Sequence, residues 1–278
     1  MTSERYTHGH HESVLRSHLW RTAENSAGFL LPHLLAGASL LDVGCGPGNI
    51  TADLARRVTR GSVIGIDRSA EVVARAADEY PVSTYPTLSF REGDVYHLGF
   101  ADETFDVLYV HQVLQHLSDP VAALTEMHRV LKPAGLLAAR DADFGGFFWA
   151  PDDPVLDRWL DLYHRVTQRN GADADGGRNL KKWVHDAGFD QLVVTSSNWT
   201  YESDDERHWW GGLWADRVVQ SDFARQALEY SLATSAELAE IAAAFRRWSR
   251  EADGVFIVPS VEVLARRASR VERLPTSG

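Results

Sequence analysis

The sequence predicts an α/β fold built on a parallel sheet with helices on both faces, and two observations predict it. Five short apolar segments, 39–43, 63–67, 88–91, 105–110 and 136–140, recur along the chain, with helical patterns or helix signals between the first three and between the last two. Strands buried on both faces read as near-continuous apolar runs, and parallel neighbours need a long, usually helical, crossover. The second observation is a glycine string, Gly44, Gly46 and Gly48, set between the first apolar segment and a helical pattern over 49–57. Glycine lets the chain turn sharply and approach a ligand closely, and a helix N-terminus offers N–H groups. A chain of 278 residues, 44% of them hydrophobic, suits one core with added helices.

Local chemistry justifies the elements in order. Before the first strand, 12–35 reads as helical with a break at Pro32. Ser69 caps a helix through Glu71, Val72, Val73 and Ala76, which stops at Tyr80-Pro81. Asp119-Pro120 is an N-cap followed by proline at the first helical position, opening a helix over 121–131. Lys132-Pro133-Ala134-Gly135 ends it and turns into the fifth strand. Residues 144–180 are rich in Trp, Phe, Asp and Gly, with one helix over 155–168; a short helix at 181–187 is closed by Gly188 and followed by a strand at 192–197. A long helical section spans roughly 204–250. Within it the capping box Thr234-Ser235-Ala236-Glu237 introduces the stripe Leu238, Ile241, Phe245 and Trp248. A last strand is expected at 255–265.

Composition bounds the function classes. The net charge of −11 and the absence of any dense basic run disfavour nucleic acid as the main partner and suit neutral or cationic ligands. Cys45 is the one cysteine, so no intrachain disulfide forms, and its place inside the glycine turn reads as a small residue that fits. With no signal-peptide pattern and no apolar run of membrane-spanning length, a cytoplasmic location is expected.

The glycine turn sits at the first strand-to-helix connection, where open parallel sheets bind ligands, and the next two strands each end in an acid. The second closes on Asp67, placed to accept two hydrogen bonds from ribose hydroxyls, and the third leads to Gly93-Asp94-Val95. Together with 105–111, His116-Leu117-Ser118-Asp119-Pro120, 129–137 and Ala187-Gly188-Phe189, these stretches resemble the class I S-adenosylmethionine (SAM)-dependent methyltransferases. The similarity is to the ubiquinone/menaquinone-biosynthesis group and its small-molecule relatives, and it covers 38–140 well and the rest loosely. The resemblance implies a Rossmann-like sheet of seven strands, mostly parallel, whose last strand is antiparallel. With the residue pattern, this divides the chain into an N-terminal helical segment (1–38), a SAM-binding core (39–143), a helical insertion and connection (144–188), the last two strands with a helical cap at about 203–252 (189–268), and a frayed tail (269–278).

By the same resemblance Gly44, Cys45, Gly46 and Gly48 line the methionine part of SAM, with Asp42 supporting the loop or the amino group. Asp67 holds the ribose, Asp94 the adenine amino group, and Arg68, Gly93 and Val95 lie near the adenine. His111 lies beside the methionine moiety, while Trp20, Arg21 and Thr22 close over the cofactor, Arg21 pairing its carboxylate.

SAM carries its own activated methyl, so a general base is needed only if the acceptor must lose a proton. His111, ending the fourth strand, is the candidate base, or else its ring is simply packed; Gln112 is a candidate orienting group, and His116 is expected to hydrogen-bond the fold. Asp141 and Asp143, on one face if the strand continues, are candidates for binding a cationic acceptor. No metal is expected, because the metal-dependent subgroup's Asp-Asn pair is missing after the fifth strand. Trp209, Trp210 and Trp214, with His208 and Arg217 alongside, form either a lid over a flat acceptor or an anchor or dimer interface. Methyl transfer to the oxygen, nitrogen or carbon of a small molecule, in secondary metabolism or quinone-like biosynthesis, is the leading reading. The alternatives are a non-catalytic SAM sensor, a nucleic-acid methyltransferase, and an NAD-dependent oxidoreductase, which would favour G-x-G-x-x-G over this G-x-G-x-G.

Overall fold

The structure is a computed structural model that describes Arg5, Thr7 and residues 18–268. Its sheet runs in the order β3-β2-β1-β4-β5-β8-β6, with β7 on the far side of β8. The strands are β1 (Ser39–Val43), β2 (Ser62–Asp67), β3 (Leu88–Glu92), β4 (Phe105–His111), β5 (Leu131–Ala142), β6 (Phe148–Ala150), β7 (Asp190–Tyr201) and β8 (Val255–Arg266). The first five are parallel, and β8 is antiparallel to its neighbours, as expected for the last strand. The helices are α1 (Ala23–Ala27), α2 (Asn49–Ala55), α3 (Ala70–Glu79), α4 (Pro120–Val130), α5 (Pro154–Arg169), α6 (Gly176–Asp186), α7 (Asp204–Gln220), α8 (Asp222–Glu229) and α9 (Ser235–Trp248).

Alternation along the strands divides the core into layers. Leu41, Val43, Leu108, Val110 and Leu137 meet Leu124 and Met127 of α4 and Leu180 and Val184 of α6. Their strand neighbours Leu40, Val107, Tyr109, Leu136 and Ala138 meet Ala23 and Ala27 of α1 and Ile50 and Leu54 of α2. Each fully buried leucine of these layers contributes about 1.5–3 kcal/mol. A surface ion pair such as Arg247 with Asp153 is worth about 0–1 kcal/mol, so packing decides the architecture. A third cluster, under α5, α7, α8 and α9, is aromatic and includes Trp159, Tyr163, Trp210, Trp214, Phe245 and Phe256.

Three elements differ from expectation for identifiable reasons. The eighth strand, β6, is three residues that extend the β5 line along β8 past a 3-10 turn at Phe144–Gly146, too short to carry a period. Helix α6 begins at Gly176, ahead of the expected 181, although Gly176-Gly177 reads as a turn. A Cβ at Gly176 would lie 2.7 Å from Gln115 Cβ, and one at Gly177 3.0 Å from the Asp141 carbonyl, so both glycines serve close approach. The section at 204–250 is three helices, the first break falling at Ser221, which caps α8 by accepting from the Phe223 N–H.

At the N-terminal end, the break lies at Thr22, which opens α1 with a capping box, and Pro32 sits in a 3-10 turn at Leu31–His33. The expected helix over 12–17 and the tail at 269–278 lie outside the described residues. No helix among the described residues is long and apolar enough to cross a membrane.

Candidate functional site

A cleft of about 1130 Å³ opens at the C-terminal ends of β1, β2, β3 and β4, and it gathers most of the expected cofactor residues. Arg21, Asp42, Gly44, Cys45, Gly46, Asp67, Arg68, Gly93, Asp94, Val95 and His111 all line it. The turn after β1 takes positive φ at Gly44 (76°), Gly46 (53°) and Gly48 (83°), the region that L side chains avoid. The three glycines do different work. A Cβ at Gly44 would lie 2.3 Å from Val113 Cγ2 and one at Gly48 2.6 Å from Phe90 Cζ, so both are needed by packing. At Gly46 a Cβ would meet only His18 Nδ1, at 3.7 Å, so this glycine faces open space in the cleft. Gly48 itself does not line the cleft; it opens α2.

The N–H groups of this turn are largely spent within the fold, contrary to the expectation of free donors. Gly44 and Cys45 donate to the Ile66 carbonyl at 2.8 and 2.9 Å, and Gly48 donates to the Cys45 carbonyl. Gly46 donates to Asp67 Oδ2 at 3.1 Å, while the Ser69 N–H donates to Asp67 Oδ1 at 3.0 Å. The turn therefore offers shape, and Asp67, pinned by both bonds, keeps lone pairs for further donors. Asp42 is buried and accepts from Thr51 Oγ1 at 2.6 Å; burial pushes its pKa up to about 7. Burial, with Asp42 and Asp67 nearby, raises the Cys45 thiol well above its ordinary value, so it stays protonated. Asp94 is exposed, accepting from the Tyr96 N–H and facing His97 Nδ1 at 3.2 Å.

His111 lines the deep end of the cleft, 6% exposed, with its ring 5.9 Å from that of Trp199. Neither ring nitrogen has a hydrogen-bond partner among the described residues. Burial, then the charges of Arg140 and Arg21, hold its pKa well below the ordinary histidine value, so the ring is neutral at neutral pH. Beside it Gln112 takes φ 52°, uncommon outside glycine, held by a bond from its N–H to the Arg140 carbonyl and by Arg21 Nη2 donating to Gln112 Oε1 at 2.7 Å. His116 bonds Gln115 within the fold, as expected, and burial and Arg21 take its pKa down to about 3.

Behind this end lies a smaller inner chamber of about 40 Å³, walled by aromatic residues that include Trp199, Tyr201, Trp209, Trp210 and Trp214. His18, Arg21 and His116 line both spaces, so the two adjoin. Trp199 is anchored by donating from Nε1 to the Asn25 carbonyl at 2.9 Å, and Tyr201 stacks on Trp210 at 4.2 Å.

Several expected site residues fall elsewhere. Trp20 lines neither space and packs against Trp199, Tyr201 and Trp209 at 5.4–5.7 Å. The structure does not bring Asp141 and Asp143 to the cleft. Asp143 is clamped by Arg178 through Nε and Nη2 at 2.8 and 2.5 Å. Asp141 is 1% exposed beneath the N–H groups of Val113, Leu114 and Gln115; burial pushes its pKa up to about 8 while those groups and Arg140 pull it down. His208 is exposed and bonds the Asp204 carbonyl, away from the chamber. Among the described residues no group of three His, Cys, Asp or Glu side chains is placed to hold a metal ion.

The residues the sequence left unmarked are Arg140, Gln115, Trp199 and Tyr201. Arg140, fully buried on β5, sits 3.4 Å from Glu262 of β8 and over the Trp199 ring at 4.7 Å. Ser197 and Thr195 of β7 complete this network on Glu262, donating at 2.5 and 2.8 Å. An arginine ending an apolar strand was the available signal for it. For Trp199 and Tyr201 the signal was the period-two spacing near the end of β7.

Comparison with known proteins agrees with this geometry. A family model described as a methyltransferase domain matches residues 41–139. An uncharacterized methyltransferase of Schizosaccharomyces pombe is 32% identical over 273 residues, covering 94% of this chain and 96% of its own. A demethylmenaquinone methyltransferase of Lactiplantibacillus plantarum is 35% identical over 126 residues, 45% of this chain and 51% of that protein. The fold is shared with the YcgJ protein from Bacillus subtilis, whose crystal structure aligns with a TM-score of 0.57 at 20% identity, covering 87% of this chain and 97% of that one. With a relative similar over nearly its whole length and a mostly parallel sheet whose last strand is antiparallel, the chain belongs to the SAM-dependent methyltransferases.

Proposed function

We propose that the protein methylates a small-molecule acceptor held between His111 and the aromatic cap. The observation that carries this reading is the junction of the two spaces: the cleft with the glycine turn and its acids meets the inner chamber at His18, Arg21 and His116. The cleft residues fit SAM. Gly46 leaves open space where a side chain would stand, Asp67 retains acceptor capacity for ribose hydroxyls, and about 1130 Å³ is available. Asp42 would hold the amino group and Arg21 the carboxylate, with Gly44, Cys45 and Gly46 along the methionine part. Gly93, Asp94, Val95 and Arg68 would hold the adenine. SAM supplies the activated methyl when bound; the protein aligns the acceptor and excludes water.

In this reading His111 meets the acceptor's proton. Its depressed pKa leaves the ring neutral and able to accept a hydrogen bond, yet a weak base, which suits an acceptor that ionises readily. Acceptors of oxygen, nitrogen or carbon type all fit this arrangement, in secondary metabolism or quinone-like biosynthesis, and the net charge of −11 favours small molecules over nucleic acid. We place the activity in the cytoplasm; a homodimer is compatible with it.

The experiment is incubation of the protein with isotopically methyl-labelled SAM and a metabolite extract. A labelled product separable by chromatography is expected. SAM binding with no labelled acceptor in any extract would favour the sensor reading instead. If His111→Ala retains full turnover with the true acceptor, the proton-accepting role of His111 is wrong.

A further inference from the structure

Neither ring nitrogen of His111 has a hydrogen-bond partner among the described residues, so neighbouring rings set its orientation. Trp199 meets it edge-on at 5.9 Å and Tyr109 stacks on it at 6.2 Å. Both of these rings are tethered to consecutive carbonyls of α1. Trp199 donates from Nε1 to Asn25, and Tyr109 from its hydroxyl to Ser26, each at 2.9 Å. Arg140 adds a further hold on Trp199, its guanidinium lying over that ring at 4.7 Å. Arg140 and His111 are partners in the parallel register of β5 and β4, which puts both side chains on one face of the sheet. Arg140 itself lines neither the cleft nor the chamber.

Stability gives little reason for an arginine at this position. The residue is fully buried at the end of Leu136-Leu137-Ala138-Ala139, and its Nε meets Glu262 at only 3.4 Å. A strong charge-assisted bond is shorter, about 2.7–2.9 Å. Nε and Nη2 donate to Ser197 Oγ at 3.3 and 3.2 Å, and Ser197 in turn donates to Glu262. Taking two charges out of water is costly, and apolar residues of similar volume often replace such a pair without loss of stability. What an apolar residue could not supply is the cation over Trp199 and the charge beside His111. Burial comes first in holding the His111 ring neutral, followed by the charge of Arg140 from β5, then Arg21 and His18 from the segment ahead of α1. Glu262 of β8, paired with Arg140, offsets part of that charge; Tyr109 and Trp199 face the ring as neutral groups.

We infer that Arg140 is a positioning residue for methyl transfer: from within the sheet it seats Trp199 against the His111 ring and so fixes where that ring points. This rests on the proposed role of His111 and adds to it a residue that never touches the acceptor. The Arg140 carbonyl also accepts from the Gln112 N–H at 2.8 Å, so one residue steadies the end of β4 through backbone and side chain together.

The test is NMR of the full chain with isotope-labelled histidine, saturated with S-adenosylhomocysteine (SAH). The His111 signal is identified among the 12 histidines by its loss in His111→Gln. Arg140→Met combined with Glu262→Gln removes the charge pair while keeping side chains of similar length. This double variant is expected to stay folded in denaturant titrations and to bind SAH within about threefold of wild type. Its His111 signal should titrate at higher pH, because the leading positive charge against the imidazolium is gone. Its transfer of labelled methyl from SAM into the metabolite extract should fall about tenfold. Arg140→Lys keeps the charge but not the planar contact, so its His111 signal should titrate as in wild type while transfer falls about threefold. An unmoved His111 signal or wild-type transfer in the double variant would make the pair purely structural and overturn the inference. If the double variant does not fold, wild-type transfer in Arg140→Lys overturns it equally. Absence of any labelled product from the wild-type protein would instead count against the methyltransferase reading, whereas the His111 signal reports on Arg140 in either case.

Discussion

The sheet edge carrying Gly44, Asp67 and Asp94 and the cap carrying Trp199, Tyr201, Trp210 and Trp214 line two adjoining spaces, but they are built in opposite ways. At the sheet edge the backbone makes the shape: positive φ at three glycines, turn N–H groups spent on Ile66 and Cys45, and Asp67 tied to Gly46 and Ser69. In the cap, side chains make the shape, with rings stacked or edge-on at 4.2–5.9 Å and few polar bonds. A backbone-built site tolerates almost no residue change and serves one constant ligand. A side-chain-built site can be repacked for different ligands while total volume is kept. On the proposed function, such a division would keep donor recognition constant while acceptor choice changes.

The sharpest way to break this contrast is Gly44→Ala. The added Cβ would lie 2.3 Å from Val113 Cγ2 at φ 76°, so the turn must rearrange. SAH affinity by calorimetry is expected to fall by at least about 100-fold, a loss of roughly 3 kcal/mol at 1.4 kcal/mol per decade. Trp214→Ala, in the cap, should instead cost about 3–5 kcal/mol of stability in denaturant unfolding, because this 1% exposed ring packs on Trp159 and Phe245. Unfolding near the wild-type midpoint would show that the cap core is looser than its packing implies.

Asp42 gives a pH-dependent test. Its folded pKa, raised to about 7 from near 4, means the native state holds a proton that the unfolded chain has released between those values. Its contribution to stability therefore declines as pH rises from about 4 to 7 and is constant above. Asp42→Asn should flatten that decline in urea titrations across this range; an unchanged slope would mean that another group carries it.

The smallest expected effects come from adjacent glycines of α7. A Cβ at Gly211 would lie 2.7 Å from Ser249 Cβ and 2.8 Å from the Phe245 carbonyl, whereas one at Gly212 meets nothing within 4 Å. Gly211→Ala should destabilise by about 1–3 kcal/mol. Gly212→Ala should stabilise by about 0.5–1 kcal/mol through helix propensity, with thermal unfolding distinguishing the two signs.

The sheet and the residues that line the cleft were legible in the sequence because they depend on local patterns: apolar runs, capping residues such as Ser69 and Asp119, and glycines beside acids at strand ends. The inner chamber was legible only in part: Trp209, Trp210, Trp214 and Arg217 stood out as a group, whereas Gln115, Trp199 and Tyr201 did not, because the wall is assembled from distant segments. Gln115, Trp199, Trp210 and Arg217 come together only when β7 and α7 fold over the sheet, and no spacing in the chain announces it. Asp141 and Asp143 illustrate the opposite error. Their alternation was read as a shared open face, but α6 packs there through Gly177 and Arg178, burying one carboxylate and pairing the other.

The central claim is that the sheet edge binds the donor and the cap selects the acceptor, so the cap can be altered without touching donor affinity. The direct measurement is calorimetric titration of SAH into Trp209→Ala, alongside its labelled-methyl turnover. An SAH dissociation constant within about threefold of wild type, under 1 kcal/mol, is expected, while turnover of the acceptor falls at least tenfold. Loss of SAH binding in parallel with turnover would contradict it, making the cap part of the donor site.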